Sequence, residues 1–402
     1  MMMRRIFILI SAFFLTGLVS GQSTYDLLLR AKALISTGNP SQAEELINAA
    51  PGLQTDVRLL AVRAEARFQM GDYKGAADDF NSANKINQYS SDYGLARIYA
   101  VKGDAATALY HLERSMSSQY KLPEKVIMLE PAFARIETSP EWRLFWKKEW
   151  YMVPERKLSE VEYYVIAGNI DEAGSVLSEL EMDYKDHQDA IYAGAIVKCF
   201  TGKYGEAIKS LSDLLTIYPE DENYLRALAS AQSEGSNPTG ASATYTKLIN
   251  MEVQDAELFM LRAECYRKTG EREKAMSDIN RYLSFYPGSK AALSLAGKTE
   301  SSSGNNLKAL EYFSENLRLH PNDPECYIDR GNSYFISKSW QWAINDYSMS
   351  LDLDPDNSNA WLSKGISLVN SGKTEDACHD FRRSFALGNK KATEYVSKYC
   401  IK

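Results

Sequence analysis

The sequence is poor in the residues and motifs from which catalytic and metal sites are commonly built. Its 402 residues include four histidines, His111, His187, His320 and His379. None stands at a metal-binding spacing such as His-Glu-x-x-His, and there is no Gly-x-Ser-x-Gly elbow, phosphate-binding glycine loop or Cys-x-x-Cys pair. We therefore expect a protein that is not an enzyme and that binds no metal and no cofactor.

An excess of basic charge is also missing. Lysine and arginine number 46 against 53 aspartates and glutamates, which gives a formal net charge of −7. A nucleic-acid binder needs a basic surface to neutralise phosphates, so we expect no nucleic-acid partner. Charged residues make up 25% and hydrophobic residues 45% of the chain, values that exclude a disordered tail and a multi-span membrane protein.

Long apolar runs are confined to the N-terminus. Residues 1–5 carry two arginines, residues 6–19 are mostly apolar, and residues 19–21 suit a cleavage site. This pattern predicts a signal peptide over residues 1–21, and therefore an exported, periplasmic or secreted protein with no membrane span after cleavage. The alternative is an uncleaved N-terminal anchor, although the run is short for a spanning helix of about 20 residues.

A period of about 34 residues runs through most of the remaining chain. Gly270, Gly304 and Gly372 lie on a 34-residue grid, with Lys338 in the open slot. Five residues after each turn stands a small residue: Ala43, Ala76, Ala108, Ala173, Ala207, Ala275, Ala309, Ala343 and Ala377. Four residues later stands a larger one: Ile47, Phe80, Leu112, Leu177, Leu211, Ile279, Phe313, Tyr347 and Phe381. The spacing predicts antiparallel helix pairs, because the alanine permits close approach and the larger residue fills the space one turn along.

This pattern resembles the tetratricopeptide repeat family. The best matches are Tyr327, Arg330-Gly331, Tyr334, Ala343, Tyr347 and Pro355, followed by Trp361, Lys364-Gly365, Leu368, Ala377 and Phe381. The family's Leu-Gly pair is Arg-Gly or Lys-Gly here, which we interpret as drift. The resemblance implies an all-α, right-handed superhelical solenoid of helix–turn–helix repeats.

The grid divides the chain into five parts. We expect three repeats over residues 22–117 and seven over residues 154–388, after the signal peptide. Residues 118–153 break the period and form an irregular connecting segment rich in tryptophan. Residues 389–402 are expected to form a C-terminal capping helix, which covers the apolar end of a repeat array.

The resemblance also implies where a partner would bind. In this family the concave inner face is lined by the second, fifth, ninth and twelfth residues of each first helix. In the last four units these positions hold Glu257, Met260, Glu264 and Arg267; Ala291, Ser294, Lys298 and Ser301; Glu325, Ile328, Asn332 and Phe335; and Asn359, Leu362, Ile366 and Val369.

The last two units thereby place an apolar stripe on a face that should contact solvent. The stripe consists of five apolar residues and one asparagine: Ile328, Asn332, Phe335, Leu362, Ile366 and Val369. An extended peptide or an amphipathic helix could lie on such a stripe. The alternative is that these residues pack against neighbouring units or the tail. Some family members bind the terminal carboxylate of a peptide with lysine, arginine and asparagine residues on this face. Asn332 matches one such position, but the companion basic residues are expected to be missing nearby, which argues against this binding mode.

The tryptophans of the connecting segment form a second candidate surface. Spacings of three and four place Trp142, Phe145, Trp146 and Trp150 on one helix face. They are either a docking surface with a basic rim of Arg143, Lys147 and Lys148, or a plug that fills the joint between the two repeat blocks.

The five cysteines are Cys199, Cys265, Cys326, Cys378 and Cys400. An exported protein can form disulfides. Because Cys378 falls on the last second helix and Cys400 on the capping helix expected to pack against it, they are the candidate pair. The alternative is two packed thiols.

Together these patterns predict a non-enzymatic scaffold or adaptor of the bacterial cell envelope that binds a protein or peptide segment in its concave groove. Two alternatives stay open. One is a periplasmic chaperone-like factor for envelope biogenesis, and the other is a cell-wall-associated accessory protein that uses exposed aromatic residues.

Overall fold

The computed structural model describes residues 23–400, and this part of the chain forms helices without any β-strand. The expected signal peptide lies outside the described residues. Between residues 23 and 400, no helix combines the length and the apolar character that crossing a bilayer requires. The predicted all-α solenoid of helical hairpins is confirmed.

The helices pair in chain order into antiparallel hairpins. The first three hairpins are α1 (Thr24–Ser36) with α2 (Pro40–Asn48), α3 (Val57–Gln69) with α4 (Tyr73–Ile86), and α5 (Asp92–Lys102) with α6 (Ala105–Met116). The connecting segment contains α7 (Glu124–Met128), a 3-10 turn (Pro131–Phe133) and α8 (Pro140–Phe145).

Seven hairpins and a final helix follow. The next three hairpins are α9 (Val153–Ile166) with α10 (Ile170–Tyr184), α11 (Gln188–Phe200) with α12 (Tyr204–Ile217), and α13 (Glu222–Glu234) with α14 (Pro238–Asn250). The last four are α15 (Glu257–Lys268) with α16 (Arg272–Phe285), α17 (Lys290–Ser302) with α18 (Asn306–Leu319), α19 (Pro324–Ile336) with α20 (Trp340–Leu353), and α21 (Ser358–Asn370) with α22 (Thr374–Ala386). The helix α23 (Ala392–Tyr399) ends the described chain.

Small residues set the distance between the two helices of a hairpin. All nine alanines of the predicted small slot are fully buried. In several hairpins a glycine of the first helix faces the large residue of the second. A Cβ atom on Gly365 would lie 2.6 Å from the ring of Phe381, and one on Gly297 would lie 2.4 Å from Phe313. The aromatic ring therefore occupies the space that a side chain on the opposite helix would need.

The turn between the helices needs a left-handed residue, as the glycine grid predicts. Gly270, Gly304 and Gly372 have φ values of 77°, 81° and 85°. Lys338, in the slot without glycine, also adopts a positive φ of 59°. The same backbone conformation therefore recurs where the sequence lacks glycine.

The described chain forms two compact units. The first contains the residues up to Ser236 together with Lys247–Ala256, and the second contains Asn237–Thr246 and the residues from Glu257 onward. The division falls near α14, so the connecting segment of residues 118–153 lies inside the first unit.

The first unit brings its N-terminal helix against a segment far along the chain. The hydroxyl of Tyr25 donates to the carbonyl oxygen of Val253 at 2.8 Å, and Lys32 Nζ donates to the carbonyl oxygen of Gln254 at 3.4 Å. Arg58 also forms an ion pair with Glu252. The first unit is thus closed on itself by polar contacts between residues 194 to 228 positions apart in the sequence, a feature that the repeat pattern does not predict.

Candidate partner-binding groove

The first helices of three consecutive hairpins in the second unit surround a pocket of about 230 Å³. Its polar wall comprises Arg267 on α15, Lys298 and Ser301 on α17, and Asp329 and Asn332 on α19. Arg267, Lys298, Ser301 and Asn332 all occupy the inner-face positions that the family resemblance implies. Equivalent positions of successive first helices therefore lie side by side, as a continuous groove requires.

The expectation that Asn332 lacks basic neighbours is wrong. Arg267 and Lys298 line the same pocket as Asn332, although they belong to the two preceding repeats. The repeat stacking brings these three residues together. A search for basic residues close in sequence misses them, whereas a search at multiples of the repeat period finds them.

Each cation on this wall already has an acidic partner. Lys298 Nζ lies 3.1 Å from Asp329 Oδ1, and Arg267 donates to both oxygens of Glu264 at 2.6 and 2.7 Å. Ser294 also donates to Asp329 at 2.5 Å. The wall is polar but locally balanced in charge. A ligand must therefore offer hydrogen-bonding groups that replace or extend these contacts, because simple charge attraction is largely cancelled.

The apolar stripe is only partly open. Leu362 is 8% exposed, and Ile366 and Val369 are half-buried in the same cluster, which also includes Tyr395 and Val396 of α23. The expectation that the stripe contacts solvent is therefore wrong at Leu362. The side chains of the capping helix complete the cluster in which Leu362 is buried.

Of the other stripe residues, Asn332 lines the pocket described above. Ile328 and Phe335 are half-buried, and the Phe335 ring packs edge-on against Trp340 with centroids 5.1 Å apart. Asn332 is exposed, and its Oδ1 accepts a hydrogen bond from the Tyr347 hydroxyl at 2.7 Å. This hydrogen bond fixes the side chain of Asn332 at the wall of the pocket. Whether these residues bind a partner stays a prediction.

The tryptophan segment is packed into the first unit. Trp142 is 5% exposed and Phe145 2%, and they share a cluster with Leu109 and Leu112 of α6. Trp146 is half-buried and contacts both rings. This burial contradicts a docking role for Trp142. The cluster consists of residues between 93 and 151, so the rings pack against the first repeat block, and the plug between the two blocks stays a prediction. The spacing of the aromatic residues is the same for a docking surface and for a buried cluster, so the sequence alone could not distinguish these two interpretations.

An ion pair recurs at the repeat position where arginine or lysine replaces the family's leucine. Arg330 donates two hydrogen bonds to Asp346, Arg262 does so to Asp278, and Arg63 to Asp79. In a fourth hairpin Lys364 Nζ lies 3.4 Å from Asp380. Each cation is on a first helix, and each buried aspartate is on the second helix of the same hairpin. The basic residues that replace the family's leucine therefore join the two helices of a hairpin. In the sequence, this pair is recognised as a basic residue followed by an aspartate 16 positions later.

The comparisons with known proteins agree with this architecture. The family model "Tetratricopeptide repeat" matches residues 257–289, which span α15 and α16. A solved tetratricopeptide repeat protein from Parabacteroides merdae ATCC 43184 has a TM-score of 0.51 and 19% identity, over 62% of this chain and 99% of that one. The chain contains a tetratricopeptide repeat and has the fold of tetratricopeptide-repeat proteins. Its predicted right-handed superhelix is consistent with this neighbour.

One curated relative matches part of this chain. The "Cellulose synthase operon protein C" of Pseudomonas fluorescens (strain SBW25) is 24% identical over 240 residues, which cover 55% of this chain and 18% of that protein. The chain therefore spans less than a fifth of the length of that relative. Tetratricopeptide repeats generally mediate protein–protein interaction and are generally not catalytic.

The two cysteines expected to pair are bonded in the structure. A disulfide joins Cys378 on α22 to Cys400, directly after α23, with Cα atoms 5.4 Å apart. Cys199, Cys265 and Cys326 are not joined by disulfides; Cys199 is half-buried, and the other two are buried. The bond ties the capping helix to the hairpin that it covers.

Proposed function

We propose that this protein is a non-enzymatic scaffold of the bacterial cell envelope that binds a segment of a partner protein along the groove of its second unit. The observation that carries the proposal is the pocket formed by Arg267, Lys298 and Asn332. These residues come from three successive repeats, so a ligand that contacts all of them must extend along the array. A peptide segment has that shape and offers hydrogen-bonding groups at regular intervals.

The envelope location rests on two supporting features. The N-terminal sequence has the pattern of a signal peptide, and the chain carries a disulfide between Cys378 and Cys400. Disulfides form and persist in oxidising compartments such as the periplasm. Cell fractionation followed by an immunoblot tests this part of the proposal, and a protein found only in the cytoplasm would overturn it.

The groove is tested with a variant that changes its wall and keeps its fold. In the double variant Lys298→Gln, Asn332→Asp, glutamine still offers a donor to Asp329, and aspartate still accepts the hydrogen bond of the Tyr347 hydroxyl but has no amide nitrogen to donate. The matched control is Lys308→Gln, an exposed lysine on the second helix of the same hairpin as Lys298. Wild-type and variant proteins are crosslinked in the envelope fraction of the native host, and the captured proteins are identified by mass spectrometry.

We expect the wild type and the control to capture one dominant partner and the groove variant to lose it. The melting temperature of the groove variant should equal that of the wild type. Equal capture by the groove variant would move the partner site elsewhere. A diffuse set of captured proteins, together with suppression of client aggregation, would instead favour the chaperone-like alternative.

A second function, association with cell-wall polysaccharide, is favoured by one exposed aromatic pair. Trp342 is 63% exposed, and its ring stacks on Tyr334 at a centroid distance of 5.9 Å. The partial relative is named for a cellulose synthase operon. Retention on insoluble cell-wall material or cellulose, reduced in Trp342→Ala and unchanged in Lys308→Gln, would support this function.

A further inference from the structure

A second pocket lies on the first helices of the first unit. It has a volume of about 360 Å³ and is bordered by residues 121–125 and by α9, α11 and α13. Its chemically distinctive wall residues are Tyr151, Glu155, Asp189, Tyr192, Asp221 and Tyr224. Neither the repeat pattern nor the proposed groove accounts for this combination of tyrosines and carboxylates.

Asp189 is a buried carboxylate without a hydrogen-bond donor. It is 8% exposed, and in the described part of the chain no group donates a hydrogen bond to its carboxylate oxygens. His187 Nδ1 lies 3.6 Å away, but this nitrogen accepts the backbone N–H of Asp189 and therefore carries no proton to donate. Burial raises the pKa of the Asp189 carboxyl. A mostly buried carboxylate that receives no hydrogen bond from the protein is a strong acceptor for a charged donor on a ligand.

Two tyrosine rings stand beside this carboxylate. The rings of Tyr192 and Tyr224 have centroids 5.0 Å apart and planes tilted by 54°, so they form two walls of a corner. Tyr224 is 6% exposed, and its backbone N–H donates to Asp221 at 3.0 Å, which caps the start of α13 beside the pocket. The face of an aromatic ring attracts a cation, most strongly where water is excluded.

The lysines that line the pocket are already committed to other carboxylates. Lys121 Nζ lies 2.8 Å from Glu155, and Lys125 Nζ lies 2.5 Å from Glu162. Among residues 23–400, no lysine or arginine forms an ion pair with Asp189 or Asp221. The pocket therefore keeps a local negative charge after its own ion pairs are counted.

The chain already shows this kind of recognition in the same pocket. Lys121 Nζ lies 4.7 Å from the centre of the Tyr151 ring while it pairs with Glu155. A carboxylate and an aromatic face thus hold one ammonium group on one side. On the other side Asp189, Tyr192 and Tyr224 offer the same combination, and no lysine or arginine between residues 23 and 400 forms an ion pair with Asp189 there.

We infer that this pocket binds an organic cation, an ammonium or guanidinium group, with Asp189 accepting its hydrogen bonds and the rings of Tyr192 and Tyr224 packing against it. The cation has two possible sources. One source is the side chain of a lysine or arginine of a bound protein, and the inference then rests on the proposed scaffold function. The other source is a free small molecule that carries an ammonium or guanidinium group, and the inference is then independent of that function.

The test is isothermal titration calorimetry on the purified full chain with four probes. They are a blocked pentapeptide with a central arginine, the same peptide with lysine, the same peptide with citrulline, and free ethylguanidinium. Citrulline has nearly the shape of arginine without the charge. The variants are Asp189→Asn and Tyr192→Leu, and the control is Asp213→Asn, an exposed carboxylate on the second helix α12.

We expect a basic peptide to bind the wild type and the control. Replacing the cation by citrulline, or Asp189 by asparagine, should weaken binding at least about tenfold, because a hydrogen bond to a charged group is lost. A basic peptide that binds about tenfold more tightly than ethylguanidinium identifies a protein side chain as the source. Equal affinities of the peptide and ethylguanidinium identify a free small organic cation.

Equal binding of the arginine and citrulline peptides, unchanged affinity in a folded Asp189→Asn variant, or no binding of any cationic probe would each overturn the inference. Melting curves of each variant separate loss of the site from loss of the fold. None of these results bears on the groove of the second unit, whose partner is captured in a separate experiment.

Discussion

Arg330 on α19 donates to both carboxylate oxygens of Asp346 on α20, at 2.7 and 2.8 Å, and so clamps the two helices of one hairpin. Asp346 is 5% exposed, and the adjacent Tyr347 fills the space opposite Gly331. The ion pair and the close aromatic contact therefore act at the same level of the hairpin. A planar guanidinium fits this arrangement because it satisfies both oxygens at once.

Removing the aspartate of this pair should destabilise the second unit. Asp346→Ala leaves the Arg330 guanidinium partly buried without its partner, and we expect a loss of about 2–3 kcal/mol in the free energy of unfolding. The measurement is urea unfolding followed by circular dichroism. Asp352→Ala, an exposed aspartate on the same helix, is the control and should change stability by less than about 0.5 kcal/mol. A loss equal in both variants would contradict a specific role for the pair.

The close approach of the helices predicts opposite outcomes for two glycine substitutions. Gly365→Ala should cost about 1–3 kcal/mol, because the new Cβ would lie 2.6 Å from the Phe381 ring. Gly174→Ala, inside α10 with no atom within 4 Å of the added Cβ, should instead stabilise by about 0.5–1 kcal/mol. Thermal unfolding of both variants checks the pair of predictions. Recovery of Gly365→Ala by Phe381→Leu would identify the ring as the cause.

The Cys378–Cys400 bond should hold the capping helix in place. Alkylation without reductant should label three cysteines of the unfolded chain, and five after reduction; five labels without reductant would contradict the bond. In the double variant Cys378→Ser, Cys400→Ser we expect faster amide hydrogen exchange over residues 392–399. Closing a loop of 22 residues contributes about 3 kcal/mol in the chain-entropy model. Cys199→Ser is the matched control and should leave the exchange over α23 unchanged.

The Glu300 carboxylate should contribute to acid sensitivity. Its side chain is 2% exposed, and it accepts hydrogen bonds from Arg272 at 2.7 and 2.8 Å and from Asn305 at 2.7 Å. The hydrogen bonds from Arg272, more than any other contact, lower the pKa of Glu300 below its ordinary value of 4.5. A lowered pKa means that the stabilisation is complete above the pKa of the unfolded state and is lost as the pH falls through the folded-state pKa.

We therefore expect the melting temperature of the wild type to fall more steeply between about pH 5 and pH 3 than that of Glu300→Gln. Above pH 5 the variant should melt at a lower temperature than the wild type, because glutamine cannot replace the charged partner of Arg272. Glu311→Gln, an exposed position on α18, is the control. Parallel pH profiles for the wild type and Glu300→Gln would refute the assignment.

The sequence predicts the repeated part of this molecule well and the unrepeated part poorly. The positions of the alanines and turn glycines determine where hairpins begin and end, even at Lys338, because backbone conformation and close packing are local requirements. The burial of Leu362 depends on α23, whose docking follows no period.

In the candidate sites, too, the sequence predicts the features that repeat and misses the contacts that depend on how repeats stack. Asn332 stands at an inner-face position that the family pattern identifies, whereas its neighbours Arg267 and Lys298 become adjacent only through stacking of successive repeats. The Arg330–Asp346 pair was missed because a charged residue at an apolar family position resembles neutral drift until its partner on the other helix is known. Asp189 gives no signal in the sequence, since its burial and its lack of donors are properties of the folded neighbourhood.

The contact of Tyr25 with Val253 changes how the first unit should respond to truncation. In an open array each repeat has at most two neighbours, so deleting the first hairpin removes one interface and leaves the others intact. Here the same deletion also removes the contacts of the segment around Val253, so packing is lost at both ends of the first unit. Unfolding of this unit should therefore be more nearly all-or-none than the fraying from the termini that is typical of linear repeat arrays.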